Sequence, residues 1–457
     1  MMSSVSRKSL HKLLGTNIRL FSVSSQQKQG DGKKNIVLVE GVRTPFLMAF
    51  TSYKNMMPHE LGRDTLLALL KRTGIAPKDV DYLIMGSVIQ EVKTANIARE
   101  SMLSAGFPAS TPAHSVTMAC ISSNQSITSG MGLIYSGMCD TVVAGGIEFM
   151  SDVPIRFSRE LRKKMLTLNR AKKLPQRLSI IGSIRPKHFA PELPAIAEFS
   201  TGETMGKSGD RLAATFNVSR QEQDEFALRS HSFALKAQET GLLSDVVPVK
   251  VPNGDYVEKD NGIKASSLEK MAKLKPAFIK PHGTVTAANA SFLTDGASAC
   301  LLMTEEKALA MGYTPKAYLR EFMYASQDPK DQLLLGPTYS TGKLLDKTGL
   351  KLSDIDVLEV HEAFAGQVLA NMKAMDSDYF ATEQMGRKEK VGAIDIDKLN
   401  LWGGSLSLGH PFGATGVRLV TTAANRLIKE DKELALVTAC AAGGLGHAML
   451  VERYPSK

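Results

Sequence analysis

The sequence predicts an α/β protein built from two copies of one fold, and three observations carry that expectation. The stretch from Leu69 to Met85 (LLKRTGIAPKDVDYLIM) reappears, about 275 positions later and without a gap, as Leu344 to Val360 (LLDKTGLKLSDIDVLEV). Each copy reads as a helix, a glycine stop, an Asp-x-Asp turn and a buried strand. After each copy comes a turn, a helix and another strand: Cys120 and the helix behind it lead to Asp140–Gly146, and residues 413–427 lead to Leu434–Cys440. An internal repeat on this scale points to duplication of a whole α/β unit. Third, 457 residues with 43% hydrophobic and 22% charged side chains are ordinary for a globular protein with room for two or three domains.

In chain order, residues 1–33 carry Arg7, Lys8, Lys12 and Arg19 among serines and scattered Leu, Ile and Phe, with no acidic residue before Asp31. The apolar residues are spread out and form no continuous block, which is the pattern of a mitochondrial transit peptide rather than a secretory signal. Folded sequence begins at Asn35-Ile36-Val37-Leu38-Val39, a buried-type strand running into Arg43-Thr44-Pro45. The run Ser115–Cys120 then ends at the head of a helix made almost entirely of small residues. Ile127, Met131 and Ile134 fall at helical spacing among serines and glycines, and Gly137 closes the helix. A cysteine at such a junction lies at the positive end of the helix dipole, where thiolate is expected to be favoured over thiol.

Between the halves lies an insertion of different character, residues 155–200. From Arg156 to Lys187 it holds eleven Lys and Arg against the single acid Glu160, interleaved with Leu161, Met165, Leu168, Leu174, Leu178, Ile180 and Ile181. Leu161, Met165 and Leu168 at helical spacing beside Arg162, Lys163 and Lys164 predict an amphipathic helix on an anionic membrane surface or a partner. Further on, Ser219 and Glu222 form a helix-opening capping pair. The small residues of Gly283–Ser291 and Thr294–Ser298 are expected to form a loop that lets backbone approach a ligand, ahead of a strand at Ala299–Met303. The halves are thus expected at 34–310, including the insertion and a loop region to about 285, and 311–457.

Composition excludes some functions. The four cysteines (Cys120, Cys139, Cys300, Cys440) include no C-x-x-C pair, so neither a zinc site nor a disulfide framework is expected. No apolar run reaches the roughly 18 residues of a spanning helix. A net charge of +10 favours anionic partners such as nucleic acid, acidic lipid or a phosphorylated cofactor.

Four separated stretches supply reactive groups: Cys120; His361-Glu362-Ala363-Phe364-Ala365; Gly409-His410-Pro411 with Gly413-Ala414; and Cys440-Ala441-Ala442-Gly443-Gly444. Both histidines are expected at strand-to-loop exits of the second half, where open α/β sheets gather functional residues. Together with Arg43-Thr44-Pro45, Ala144–Ser151 and Asn289-Ala290-Ser291, these stretches resemble in order the signatures of the thiolases, over nearly the whole chain after about residue 34. Within that family, the His-Glu-Ala-Phe-Ala variant, the basic insertion and the Cys440–Gly444 ending resemble members that act as the thiolase subunit of a mitochondrial fatty-acid oxidation complex.

The resemblance implies halves with mixed five-stranded sheets in αβαβα layers. It also implies thiolytic cleavage of a long-chain 3-ketoacyl-CoA by CoA, without a metal or tightly bound cofactor. By the same resemblance, Cys120 is the nucleophile that carries the acyl group as a thioester, and His410 is its base. Cys440 protonates the departing acetyl-CoA carbanion and deprotonates CoA; an ordinary thiol, near 8.5, suits both tasks. His361 and His410 are implied donors of one oxyanion hole and the backbone N–H groups of Cys120 and Ala442 of the other, with Ser291 against CoA. His361 stands where most of the family has Asn, and Ala442 where the family has Gly, keeping the N–H but narrowing the backbone angles.

Implied partners are acyl-CoA and CoA, a second copy of the chain, and an α subunit with enoyl-CoA hydratase and 3-hydroxyacyl-CoA dehydrogenase activities. The implied location is the matrix face of the mitochondrial inner membrane, reached through residues 156–187, with no specific nucleic acid. Three other readings are separable. A decarboxylating ketoacyl synthase would not need Cys440; an acetoacetyl-CoA thiolase differs in chain-length profile; a non-catalytic scaffold would not need all four reactive positions filled.

Overall fold

The computed structural model describes residues 34–455, Ala265 excepted; the transit-peptide expectation for residues 1–33 lies outside the described residues. The first half runs β1 (Ile36–Arg43), α1 (Pro58–Thr73), β2 (Tyr82–Gly86), α2 (Ile97–Ser104), β3 (Ala113–Val116), α3 (Ser122–Tyr135) and β4 (Thr141–Glu148). The insertion contributes α4 (Arg159–Arg170) and α5 (Leu174–Gly182), followed by α6 (Met205–Thr215) and α7 (Arg220–Glu239), and β5 (Thr294–Thr304) returns to the first sheet. The second half runs β6 (Ala317–Ser326), α8 (Gly336–Thr348), β7 (Val357–Val360), α9 (Ala365–Met375), α10 (Thr415–Lys429), β8 (Leu434–Ala441) and β9 (Leu445–Arg453).

The repeat seen in the sequence is a repeat in space. Helices α1 and α8 both stop at a left-handed glycine, Gly74 (φ 70°) and Gly349 (φ 71°), whose N–H bonds back to Leu70 and Leu345. Each is followed by a short 3-10 turn and a strand. Asp81 accepts from the N–H groups of Asp140 and Thr141, and its counterpart Asp356 from those of Glu433 and Leu434. The same carboxylate thus ties the same parallel neighbour in both halves: β2 pairs with β4, and β7 with β8. The strands follow one path, β7-β8-β9-β6-β1-β5-β4-β2-β3, joined across the halves by antiparallel β1 and β6. At the place corresponding to β3, the second half has a single parallel bridge, Leu358 to Leu399.

Strand alternation sorts the side chains into layers. Val37, Leu83, Met85 and Val143 pack with α1 and α2 on one outer face. Ile36, Leu38, Val142, Leu319 and Val437 point inward onto Ile127 and Met131 of α3 and Val417 and Val420 of α10. Leu358, Val360 and Leu436 face α8 and α9 on the other outer side. The small-residue helix predicted after Cys120 is therefore half of a central helical layer, and α10, buried from Thr415 to Leu427, is the other half.

Two expectations are corrected. Thr294–Ser298 is already strand, paired with β4 from Gly296 onward. The small side chains read as loop signals are required because Ser298 lies directly under residue 414 and donates to its carbonyl. In the insertion, the predicted stripe is broken up: Leu161 is buried, while the outward apolar surface combines Met165 and Leu166 of α4 with Leu174, Leu178 and Ile181 of α5. Arg162 and Lys163 meet carboxylates, Glu192 and Glu160. Among the described residues no helix is long and apolar enough to cross a membrane.

The two glycine stops provide a test of the duplication. Neither has an atom within 4 Å of an added Cβ, so Gly74→Ala and Gly349→Ala incur only the left-handed backbone cost, about 1 kcal/mol each. Urea unfolding should show equal losses for the two variants; a loss at one position alone would mean that the caps are not equivalent.

Candidate active site

Cys120 occupies the short link between β3 and α3. The link is drawn tight by Ser122, whose hydroxyl accepts from the Met118 N–H and donates to the Ala119 carbonyl. As a result Ala119 is left-handed at φ 47°, a conformation that costs a non-glycine residue about 1–2 kcal/mol and fixes the direction of the next side chain. Cys120 is half-buried. Its thiol is pushed up to about 12, chiefly by burial; the Ala442 N–H, which points at the sulfur, pulls the other way, and the Glu148 and Glu198 carboxylates add to the rise. The expected thiolate at the helix end is thus corrected: desolvation outweighs the dipole, and the resting group is a thiol.

His410 stands in the corresponding place of the second half, in the link that opens α10, and not at a strand exit as the sequence reading expected. The bridge at Leu399 replaces the strand that would have ended there. Gly409 (φ 105°) turns the chain, and the His410 N–H donates to Thr294 Oγ1 at 3.0 Å. Its Nδ1 lies 2.7 Å from Thr415 Oγ1. His361 does follow strand β7 directly, with Nδ1 3.1 Å from Ser405 Oγ. The two imidazole rings lie 4.1 Å apart, and among the described residues no group bonds either Nε2. Burial, aided by the nearby Arg418 guanidinium, lowers His410 to about 3; burial, His410 and Arg418 hold His361 well below the usual imidazole range.

Cys440 is buried near the end of β8. Burial and the proximity of Cys120 push its thiol above the ordinary thiol range, a correction to the expected value near 8.5. In the turn that follows, the left-handed positions fall on Gly443 (φ 85°) and Gly444 (φ 70°), so Ala442 is spared that conformation and presents its N–H to Cys120. The Gly443 N–H donates to Glu198, from the far end of the insertion. Ser291 lies beside the His361 loop, its N–H bonded to the Ala363 carbonyl; the Asn289 carbonyl receives the Ala365 N–H, and the Asn289 side chain donates to Asp224 and the Thr284 carbonyl.

Sequence reading left Glu148, Ser405, Thr415, Arg418 and Ala119 without roles. Glu148 is buried and accepts from Val88, Ile89 and Gly413, which ties the first half to the His410 link; burial raises it to about 7. A carboxylate two residues past a Gly-Gly strand was the available signal. Ser405, Thr415 and Arg418 gave no local signal, since their meaning comes from what they touch. Among the described residues no His, Cys, Asp and Glu cluster is arranged to hold a metal ion. The structure thus brings Cys120 beside Cys440, with the Ala442 N–H against the Cys120 sulfur, and His361 beside His410, both imidazoles held neutral.

Residues 36–306 match the thiolase N-terminal domain and residues 313–453 the thiolase C-terminal domain. The chain is 69% identical over 422 residues, 92% of its length and 89% of the relative's, to the mitochondrial trifunctional enzyme subunit beta of Homo sapiens. It is 60% identical to a probable 3-ketoacyl-CoA thiolase of Caenorhabditis elegans, over 92% and 94% of the two chains. The crystal structure of human mitochondrial 3-ketoacyl-CoA thiolase in complex with CoA superposes with a TM-score of 0.77 at 30% identity, covering 92% of this chain and 98% of that one.

The low imidazole values set the acid limit of stability. His410 and His447 are both held near 3 by burial, against 6.5 for the free side chain. Below pH 6.5 the unfolded chain takes up protons that the folded chain refuses. Stability present above 6.5 is therefore lost on the way down to about 3, by about 1.4 kcal/mol per pH unit and per histidine. Denaturant unfolding between pH 7 and 5 should show His447→Gln losing about 1.4 kcal/mol less per pH unit than the wild type below 6.5; identical profiles would mean that His447 is not buried neutral.

Proposed function

The chain belongs to the thiolase family, and from that membership we propose that it is a 3-ketoacyl-CoA thiolase cleaving long-chain 3-ketoacyl-CoA with CoA. The observations that support it are two pairings at the junction of the halves, Cys120 beside Cys440 and His361 beside His410, with both imidazole Nε2 atoms unbonded among the described residues. Neither half alone could make this site.

In this reading the resting pair is neutral thiol and neutral imidazole, because a thiol near 12 does not ionise onto an imidazole near 3. The proton passes from Cys120 to His410 Nε2 as sulfur bonds to C3 of the substrate. The Ala442 N–H, already against the sulfur, and the Cys120 N–H receive the C3 alkoxide. Breaking the C2–C3 bond leaves the acyl group on Cys120 as a thioester and releases the acetyl-CoA enolate. His361 and the newly protonated His410 hold the enolate oxygen. Cys440 gives its proton to C2, a far stronger base than any thiolate. The Cys440 thiolate then takes the proton of the incoming CoA thiol, CoA attacks the thioester, and Cys120 leaves with the proton held by His410. In this reading Ser291, half-exposed beside the His361 loop, meets the CoA arm, and CoA serves as co-substrate.

The halves in this reading are residues 34–310 and 311–457. The curated relative is a β subunit of a mitochondrial enzyme, which supports a mitochondrial location. It also supports a hetero-oligomer in which a dimer of this chain works beside an α subunit whose hydratase and dehydrogenase activities supply the substrate. For the insertion the favoured contact is an anionic membrane surface of the inner-membrane type. Met165, Leu166, Leu174, Leu178 and Ile181 are each exposed, and the side chains of nine of the eleven basic residues from 156 to 187 form no salt bridge among the described residues.

Thiolysis across 3-ketoacyl-CoA chains from C4 to C16 should favour the long chains, and Cys120→Ser should lose activity on the order of 10⁴-fold. Cys440→Ser should abolish proton exchange at acetyl-CoA while still forming acyl-enzyme; near-normal turnover of Cys120→Ser would end the reading. Removing residues 158–185 should abolish flotation with anionic vesicles at low salt while leaving thermal stability intact, and unchanged flotation would exclude the insertion as the contact.

A further inference from the structure

We propose that Glu198 is a positioning residue: from the end of the insertion, its carboxylate holds the turn after β8 in the shape that aims the Ala442 N–H at Cys120, so that the insertion takes part in building the site. What the aimed N–H then does rests on the thiolase reading; that the turn is held from the insertion rests on hydrogen bonds and packing.

The turn that joins β8 to β9 needs an outside hold. Ala441, the last residue of β8, still pairs with Leu445, so Ala442, Gly443 and Gly444 span the turn by themselves. Gly443 (φ 85°) and Gly444 (φ 70°) are both left-handed, and two successive glycines have the most backbone freedom to lose. Gly444 is fixed by its neighbours: its carbonyl receives the Gln327 N–H at 2.9 Å, and an added Cβ would run into Gln327 and Pro329. A Cβ on Gly443 would meet only Leu445, at ordinary contact distance. Packing therefore leaves Gly443 free, and the bond from its N–H to Glu198 Oε1, at 2.8 Å, is what holds it. The Ala442 N–H, which lies against the Cys120 sulfur, sits between the last paired residue of β8 and the bonded Gly443, and is aimed from both ends.

Glu198 is itself held in place. Gly202 (φ 70°) closes a tight hairpin in which the Glu198 N–H donates to the Glu203 carbonyl at 2.7 Å and the Glu198 carbonyl receives the Gly202 N–H at 2.8 Å. Ala197 is bridged across this hairpin to Thr204, the cap of α6. Glu203 pairs with Arg211 of α6 at 2.6 Å, and Arg211 also donates to the Lys330 carbonyl at 2.6 Å and meets Asp331 at 3.4 Å. Residues 327–331 are the segment that fixes Gly444, so one arginine joins the two holds on the turn. A carboxylate receiving a backbone N–H makes the stronger, charge-assisted kind of hydrogen bond.

The test compares the full-length wild type with Glu198→Ala, which removes the acceptor, and Glu198→Gln, which keeps an acceptor oxygen. Hydrogen–deuterium exchange of peptides covering residues 440–446 reads the turn, and steady-state thiolysis of a long-chain 3-ketoacyl-CoA reads the chemistry. Glu198→Ala should speed exchange in 440–446 on the order of 10-fold while peptides from β1 and α3 keep their wild-type rates. The same variant should lower kcat on the order of 10-fold with little change in KM, because the Ala442 donor is needed most where charge develops on oxygen. Glu198→Gln should recover both the slow exchange and kcat. Glu198→Ala with wild-type kcat or wild-type exchange in 440–446, faster exchange spread over the whole chain, or a Glu198→Gln variant as impaired as Glu198→Ala would overturn the proposal. The expected exchange pattern in a protein that thiolyses no 3-ketoacyl-CoA would support the hold on the turn and overturn the thiolase reading instead.

Discussion

The structure depends on the close approach of two buried helix ends. The N-termini of α3 and α10 meet in the central layer, and glycine is what lets them. A side chain on Gly146 would run into the Gly413 carbonyl, and one on Gly416 into Asn124. Across this contact Glu148 receives the Gly413 N–H, Ser123 receives the Val417 N–H, and Ser298 donates to residue 414. The links that carry Cys120 and His410 are the segments just ahead of these helix ends. Separating the helices by one methyl group would move the Cys120 link away from the His410 link.

The same packing decides the character of the chemistry. A group at a helix N-terminus in water would be helped toward negative charge, but here the surrounding layers remove water, and desolvation wins for every titratable group in the site. Thiols are held protonated, imidazoles neutral, and the Glu148 carboxyl lifted toward neutrality. Charge then appears only when substrate chemistry forces it, next to donors whose positions are already fixed. A site of this kind gains its reactivity from arrangement more than from a pre-ionised nucleophile.

Much of the fold was legible because duplication writes the same physical requirements twice. A glycine at a left-handed helix stop, an Asp-x-Asp turn and a β-rich run recur at Gly74 and Gly349, and the folded structure uses both copies alike. Cys120, His361, His410 and Cys440 were legible through their recurrence in family signatures, each in a stretch with local character. Three kinds of information were not. The strand status of Thr294–Ser298 depends on a neighbour that allows only small side chains. The burial of Leu161 and exposure of Leu166 depend on how α4 and α5 lie together. Ser405, Thr415 and Arg418 look like ordinary helix residues until their contacts with His361, His410 and each other are known, because their meaning lies in what they touch and not in any one residue.

Cys120 and His410 occupy equivalent stations, one ahead of each central helix, in halves that grew from the same ancestor. In the proposed reaction each half supplies one member of the couple that shares the proton, so neither half would act by itself. During synthesis the thiol leaves the ribosome nearly three hundred residues before its imidazole. If the proposed reaction holds, a polypeptide whose second half is not yet in place carries only an unassisted sulfhydryl, and the ability to attack acyl groups waits for the remainder of the chain.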